Sequence, residues 1–182
     1  MEYNREPFYK PSEDSYLLSR YVGRLVEGRV LDMGTGSGIQ AVTAAMKVNV
    51  THVVASDINP LAIEAARKCA SEAGMLEKIS FVLSDLFENL PGEFNWIIFN
   101  PPYLQSEREL SDRTWDGGLK GVEVIERFLE VAREHLSPLG SILLIYSSET
   151  CLKPEKYSYR WDILESVPLF FEKLYCARLS PF

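Results

Sequence analysis

Short apolar runs of strand length alternate along the chain with segments whose apolar residues recur every three or four positions. The runs are residues 29–33, 51–56, Ile79–Leu83, Phe94–Phe99 and 141–146. The helical periodicities are Tyr16, Leu17, Leu18, Tyr21, Val22 and Leu25, then residues 39–46, then Leu61, Ala65 and Cys69, and last Val122, Ile125, Leu129, Ala132 and Leu136. Ser12 precedes the first helix, Asn59-Pro60 opens the third and Gly74 closes it. Pro138-Leu139-Gly140 reads as a turn into strand 141–146, and residues 149–161 as loop plus a short helix. Residues 163–171 and 173–179 fit a closing antiparallel pair, with Cys176 buried in a strand. Strands alternating with helices predict an α/β, doubly wound fold with a mostly parallel sheet of about seven strands, the last antiparallel.

Composition adds limits. With 182 residues, 46% apolar and 25% charged, the expectation is one soluble domain with a single well-buried core. No apolar run reaches the roughly 18 residues of a membrane span, and residues 1–10 lack the apolar centre of a secretory signal. Cys69, Cys151 and Cys176 are odd in number, widely spaced and without a C-x-x-C pair, which reads as reduced thiols in an intracellular, cytoplasmic protein. His52 and His135 have no neighbour at metal-ligand spacing, so no metal is expected. A net charge of -7 argues against an extended phosphate-binding surface.

The candidate chemistry lies at strand ends. Asn100-Pro101-Pro102-Tyr103 follows Phe94–Phe99; two prolines remove two donors and leave both carbonyls free to accept. Beside the Asn100 side-chain oxygen they form a rigid, acceptor-rich corner suited to a planar NH2 group, with Tyr103 as an aromatic face. The same residues also suit a plain strand-ending turn. Upstream, Asp32-Met33-Gly34-Thr35-Gly36-Ser37-Gly38 leads from a strand into a helix, bringing backbone N–H groups against a ligand. From Gly34 the sixth position is Ile39, so G-x-G-x-x-G fails; the frame from Gly36 to Ala41 starts too far past the strand. Asp32, directly before the turn, suits an ammonium or sulfonium better than a diphosphate. A positively charged nucleoside is therefore favoured over a dinucleotide. Asp57, a little over twenty residues on, is placed for ribose hydroxyls, and Asp85 ends a third strand. Three acids at successive strand ends share one edge of a parallel sheet, which helix capping alone does not explain.

Taken together, Asp32 to Gly38, Asp57-Ile58-Asn59-Pro60, Ser84-Asp85-Leu86 and Asn100-Pro101-Pro102-Tyr103 resemble the motif series of class I S-adenosylmethionine-dependent methyltransferases, a Rossmann-like fold. More narrowly, the chain is similar to the HemK-related group that methylates the glutamine side chain of class I translation release factors. Pro11-Ser12-Glu13-Asp14-Ser15 and Trp115-Asp116-Gly117-Gly118-Leu119-Lys120-Gly121 match its short archaeal and eukaryotic branch. The resemblance runs from about Phe8 to Tyr146. It implies a cofactor site of Ser15, Asp32, Gly34, Gly36, Asp57, Asp85, Leu86 and Asn100. Asn100 and the Pro101 carbonyl would hold the target NH2, with Tyr103 against the substrate. S-adenosyl-L-methionine would leave as S-adenosyl-L-homocysteine. The division expected within 1–182 is a cap-helix region 1–27, a cofactor-binding core 28–146 and closing strands 147–182. The branch also implies a small zinc-binding activator paired with the sheet edge, which would be Ile79–Leu83.

Two other functions fit some of these residues. A methyltransferase for the exocyclic amine of adenine in DNA or RNA uses the same NH2-binding corner, but base flipping calls for a basic groove that this acidic chain does not advertise. A non-catalytic cofactor-binding subunit has no need of an intact Asn100 and Tyr103.

Overall fold

The computed structural model describes residues 11–102 and 122–182. Helix α1 (Glu13–Leu25) comes first, with Glu13 and Asp14 in its first turn, where acids favour the helix dipole. Strand β1 (Gly28–Met33), helix α2 (Ile39–Ala45), β2 (Val50–Asp57), α3 (Pro60–Glu72), β3 (Ile79–Leu83) and β4 (Phe94–Phe99) follow. After the undescribed stretch come α4 (Glu123–Ala132), β5 (Leu136–Ser147), β6 (Tyr159–Pro168) and β7 (Lys173–Pro181). Among the described residues seven strands form one sheet in the order β3-β2-β1-β4-β5-β7-β6. β1 to β5 are parallel, and β7 is antiparallel to both its neighbours, as expected for the last strand.

The strands are apolar on both sides because each side packs against its own layer. Alternate residues of β4 show it: Trp96 and Ile98 join Leu17, Leu18, Val22, Val30, Val53 and Leu143 on the face covered by α1 and α2. Ile97 and Phe99 join Leu31, Ile125, Phe128, Leu129 and Leu144 on the α4 face. Burial on two faces is why these segments read as unbroken apolar runs rather than alternating ones.

Four details differ from the sequence pattern. On α3 the buried stripe is Ala62, Ala66 and Ala70, one position along from Leu61, Ala65 and Cys69. Leu61 is exposed, and Cys69 is half-buried at the rim of the core. At Ala66 a small residue fits because Gly38 approaches α3 so closely that a Cβ on it would lie 2.7 Å from the Ala66 Cα. Second, α4 ends at Ala132; a single 3₁₀ turn separates it from Leu136, which belongs to β5 and pairs with Phe94. Third, Pro138-Leu139-Gly140 is an irregularity inside β5 rather than a turn before it. Gly140 fits because a Cβ would meet the Phe94 carbonyl at 2.9 Å. Fourth, β6 begins already at Tyr159, and residues 149–158 hold 3₁₀ turns without an α-helix. Cys176 is buried in β7, as its pattern predicts.

Candidate active site

Strand order decides where the site lies. From β1 the chain builds outward through β2 and β3 on one side, then returns to place β4 on the other. The carboxyl ends of β1 and β4 therefore flank a topological switch point, where open α/β sheets bind ligands. The loops carrying Gly34, Asp57, Asp85 and Asn100 all leave this one edge, because β1 to β4 are parallel.

The glycine loop is held from below. Gly34, Gly36 and Gly38 have φ of 63°, 52° and 83°, the left-handed region that favours glycine. Asp32 is buried under the loop, and its Oδ2 accepts from the Thr35 hydroxyl at 2.6 Å and the Ala41 N–H at 2.9 Å. One carboxylate oxygen thus ties the loop to the start of α2. Burial pushes the Asp32 carboxyl up to about 7, against the two hydrogen bonds, and the nearby Asp57 adds to the rise. Asp57 accepts from the Gly36 N–H at 3.0 Å and the Asn59 N–H at 2.9 Å. Burial raises its pKa as well, against these same bonds. A third backbone donor, the Ile58 N–H, also bonds to it, and acceptor capacity remains for a ligand hydroxyl.

Beyond β3, buried Ser84 shapes the turn, donating to the Leu86 carbonyl at 2.8 Å and accepting from the Asn89 N–H at 3.0 Å. Leu86 is thereby held at φ 46°, a conformation uncommon for a residue with a Cβ, and it packs on the α4-side core. Asp85 is half-exposed and accepts from Arg127 of α4 at 3.1 Å.

At the end of β4, the Asn100 amide nitrogen donates to Asp14 Oδ2 at 3.0 Å. Its Oδ1 is buried and has no hydrogen-bond partner among the described residues. Asp14 is only 3% exposed and also accepts, through Oδ1, from the Ser15 N–H and hydroxyl. Buried Gln40 donates to the Ser15 carbonyl at 2.8 Å and accepts from the Ser19 hydroxyl at 3.0 Å, joining α1 to α2. An unpaired buried carbonyl costs free energy, which makes this oxygen a candidate contact for a ligand donor.

Residues 12–155 match the methyltransferase small domain family. The chain belongs to that family. It is 35% identical over 176 residues to a putative protein N5-glutamine methyltransferase of Methanocaldococcus jannaschii, covering 91% of this chain and 88% of that one. It is 31% identical over 156 residues to mouse methyltransferase HEMK2, covering 78% of this chain and 72% of the relative. These two place the methyltransferase in the HemK-related group. It spans under half the length of the bacterial release factor and ribosomal protein glutamine methyltransferases it matches, 45% and 39% of two of them. An RNA methyltransferase of Salinibacter ruber, solved with S-adenosyl-L-homocysteine, shares the fold with a TM-score of 0.62 at 21% identity, covering 94% of each chain.

Of the predicted site residues, Ser15, Asp32, Gly34, Gly36, Asp57, Asp85, Leu86, Asn100 and Pro101 leave the same edge of the sheet or, for Ser15, the α1 turn against it. Tyr103, the polar stretch 105–114 and the Trp115 to Gly121 segment lie outside the described residues. Pattern reasoning missed Asp14 and Gln40 as members of this cluster. A signal for the first was present: Asp14 precedes buried Leu18 and Val22 at four-residue spacing, so it shares their inward stripe. Gln40 had none, being one polar residue in a small-residue helix.

Proposed function

We propose that this methyltransferase transfers the methyl group of S-adenosyl-L-methionine to the NH2 nitrogen of a glutamine side chain in a class I translation release factor. The observation that carries the reading is the Oδ1 of Asn100, buried and without a hydrogen-bond partner among the described residues, on the residue that directly precedes Pro101. An amide nitrogen is a poor nucleophile because its lone pair is delocalised. Two rigid acceptors take its two hydrogens and aim it, so the protein works by positioning and electrostatics rather than with a strong base. Tyr103 follows the prolines and contributes an aromatic face for the substrate.

The residues present suit the cofactor. Left-handed Gly34 and Gly36 bring bare backbone to the switch point, and the acids around it suit a cation and hydroxyl donors. Asp57 would hold the ribose hydroxyls, Asp85 the adenine amine and Leu86 the ring, with Asp32, Ser15 and Asn100 at the methionine end. When bound, the cofactor supplies an electrophilic methyl group on a sulfonium. Asp85 must exchange or share its partner Arg127 for this role, a small cost for a half-exposed pair.

A second chain fits the sheet edge. β3 is an outer strand of the sheet, and Leu83 on it is 51% exposed. The Arg67 guanidinium sits 4.6 Å from the Phe81 ring and gives that strand only partial cover. A small zinc-binding activator pairing with β3 would complete it.

The test offers labelled S-adenosyl-L-methionine with a release factor, duplex DNA and RNA in parallel. Label is expected on the release factor glutamine. Label confined to an adenine in DNA or RNA would replace the proposed substrate, and label in none, with the small zinc-binding partner co-expressed, would leave the non-catalytic subunit.

A further inference from the structure

We propose that Asp14 is a positioning residue for Asn100, fixing its amide so that Oδ1 is the oxygen offered to the acceptor nitrogen. This deepens the role proposed above for Asn100 and rests on it.

An asparagine amide has two faces of similar shape and opposite hydrogen-bonding sense, so its orientation is set by its partners. A carboxylate can only accept. With Asp14 Oδ2 at 3.0 Å, the nitrogen must face it, since an oxygen there would place two acceptors together without a proton between them. Oδ1 is then turned to the other side, where it is buried and has no partner among the described residues. Half of the Asn100 side chain is spoken for by the protein, and the half left over is the acceptor that an NH2 substrate needs.

Asp14 is itself held. Its Oδ1 accepts from the Ser15 N–H at 2.6 Å, and the carboxylate is 3% exposed on the same stripe as fully buried Leu18 and Val22. Gln40 bolts the Ser15 carbonyl to α2, the helix that the glycine loop enters. One run of hydrogen bonds therefore passes from the cofactor-side helix through the first turn of α1 to the substrate-side asparagine. The arrangement sets the acceptor relative to the glycine loop, which positional catalysis requires, because displacements near 1 Å cost about 100-fold in rate. A carboxylate in the first turn of a helix has a plain role as a dipole partner, but that role by itself calls for no contact with Asn100.

The test uses Asp14→Asn, which keeps shape and removes the charge, and Asp14→Ala, with the wild-type chain. The Asn100 side-chain NH2 resonances are assigned by their absence in Asn100→Ala and followed by NMR. Both Asp14 variants should move these resonances and speed their hydrogen exchange. Turnover per folded molecule on a release factor should fall about 10- to 100-fold, and calorimetric affinity for S-adenosyl-L-homocysteine should stay within about threefold. Unmoved Asn100 resonances in Asp14→Asn would overturn the proposal. So would retained turnover per folded molecule in a variant whose resonances do move. If the wild-type chain methylates nucleic acid instead, the glutamine reading fails alone, and the same comparison is made on that acceptor. If it methylates nothing, the resonances alone decide whether Asp14 orients Asn100.

Discussion

At the scale of single residues, the acids of this site differ in what they already do. Asp32 is bonded to its own loop, Asp57 to the same loop from the side, and Asp85 to an arginine. The raised pKa of Asp32 makes a pH prediction. Between about pH 4, where an unfolded aspartate ionises, and about 7, the folded chain holds a proton that the unfolded chain has lost. The native state binds more protons in this window, so stability from this residue falls as pH rises, by at most about 1.4 kcal/mol per pH unit. Asp32→Asn removes the dependence, and its melting temperature should gain on wild type from pH 5 to pH 8. Parallel melting curves across that range would count against it. Asp57→Ala should weaken cofactor binding by about 1–3 kcal/mol through lost charge-assisted hydrogen bonds, read by calorimetry. Because the earlier acids hold most of the cofactor, Asn100→Ala should change cofactor affinity less than Asp57→Ala does, while turnover falls by the equivalent of about 2.7–4 kcal/mol. A stable Asn100→Ala protein with near wild-type turnover would remove Asn100 from the chemistry.

Among the elements, the junction of the glycine loop with α2 and α3 is closely packed, backbone against backbone. Gly38 has φ 83° and stands at the N-terminus of α2, and its missing side chain lets Ala66 of α3 approach. Gly38→Ala meets both obstacles at once. The left-handed backbone alone costs about 1–2 kcal/mol, and the 2.7 Å approach to the Ala66 Cα forces α3 outward besides. Chemical denaturation should show a loss of at least about 2 kcal/mol. Gly74→Ala is the control, with φ 69° but no atom within 4 Å of the added Cβ, so its loss should be smaller by the packing share. Equal losses would mean that the helix contact contributes nothing.

For the whole molecule, partner and charge belong together. Net charge -7 disfavours an extended nucleic-acid surface. With β3 at the edge and Leu83 exposed on it, the purified chain alone is expected to be poorly soluble or weakly active. Co-expression with a small zinc-binding partner should raise both. A soluble, monomeric, fully active single chain would show that the edge needs no partner. Among the described residues no helix is long and apolar enough to cross a membrane.

The strands and their order in sequence were legible because a buried parallel strand has to be apolar along its length, and Ile79–Leu83 and Phe94–Phe99 were bounded to the residue. The acids at strand ends were legible for the same reason, since a charge directly after such a run has only the sheet edge to occupy. What tertiary structure decided was proximity across sequence distance. The buried stripe of α3 lies one residue along from the pattern and sets Ala66 against Gly38, a contact that local periodicity does not encode. Leu136 left its helical pattern because β4 offered it a strand partner. Asp14 and Asn100 lie 86 positions apart, and only the docking of α1 on the sheet makes one the hydrogen-bond partner of the other. Residue types and spacings specify which groups can do chemistry, whereas the direction in which an amide points is set by what folding packs against it.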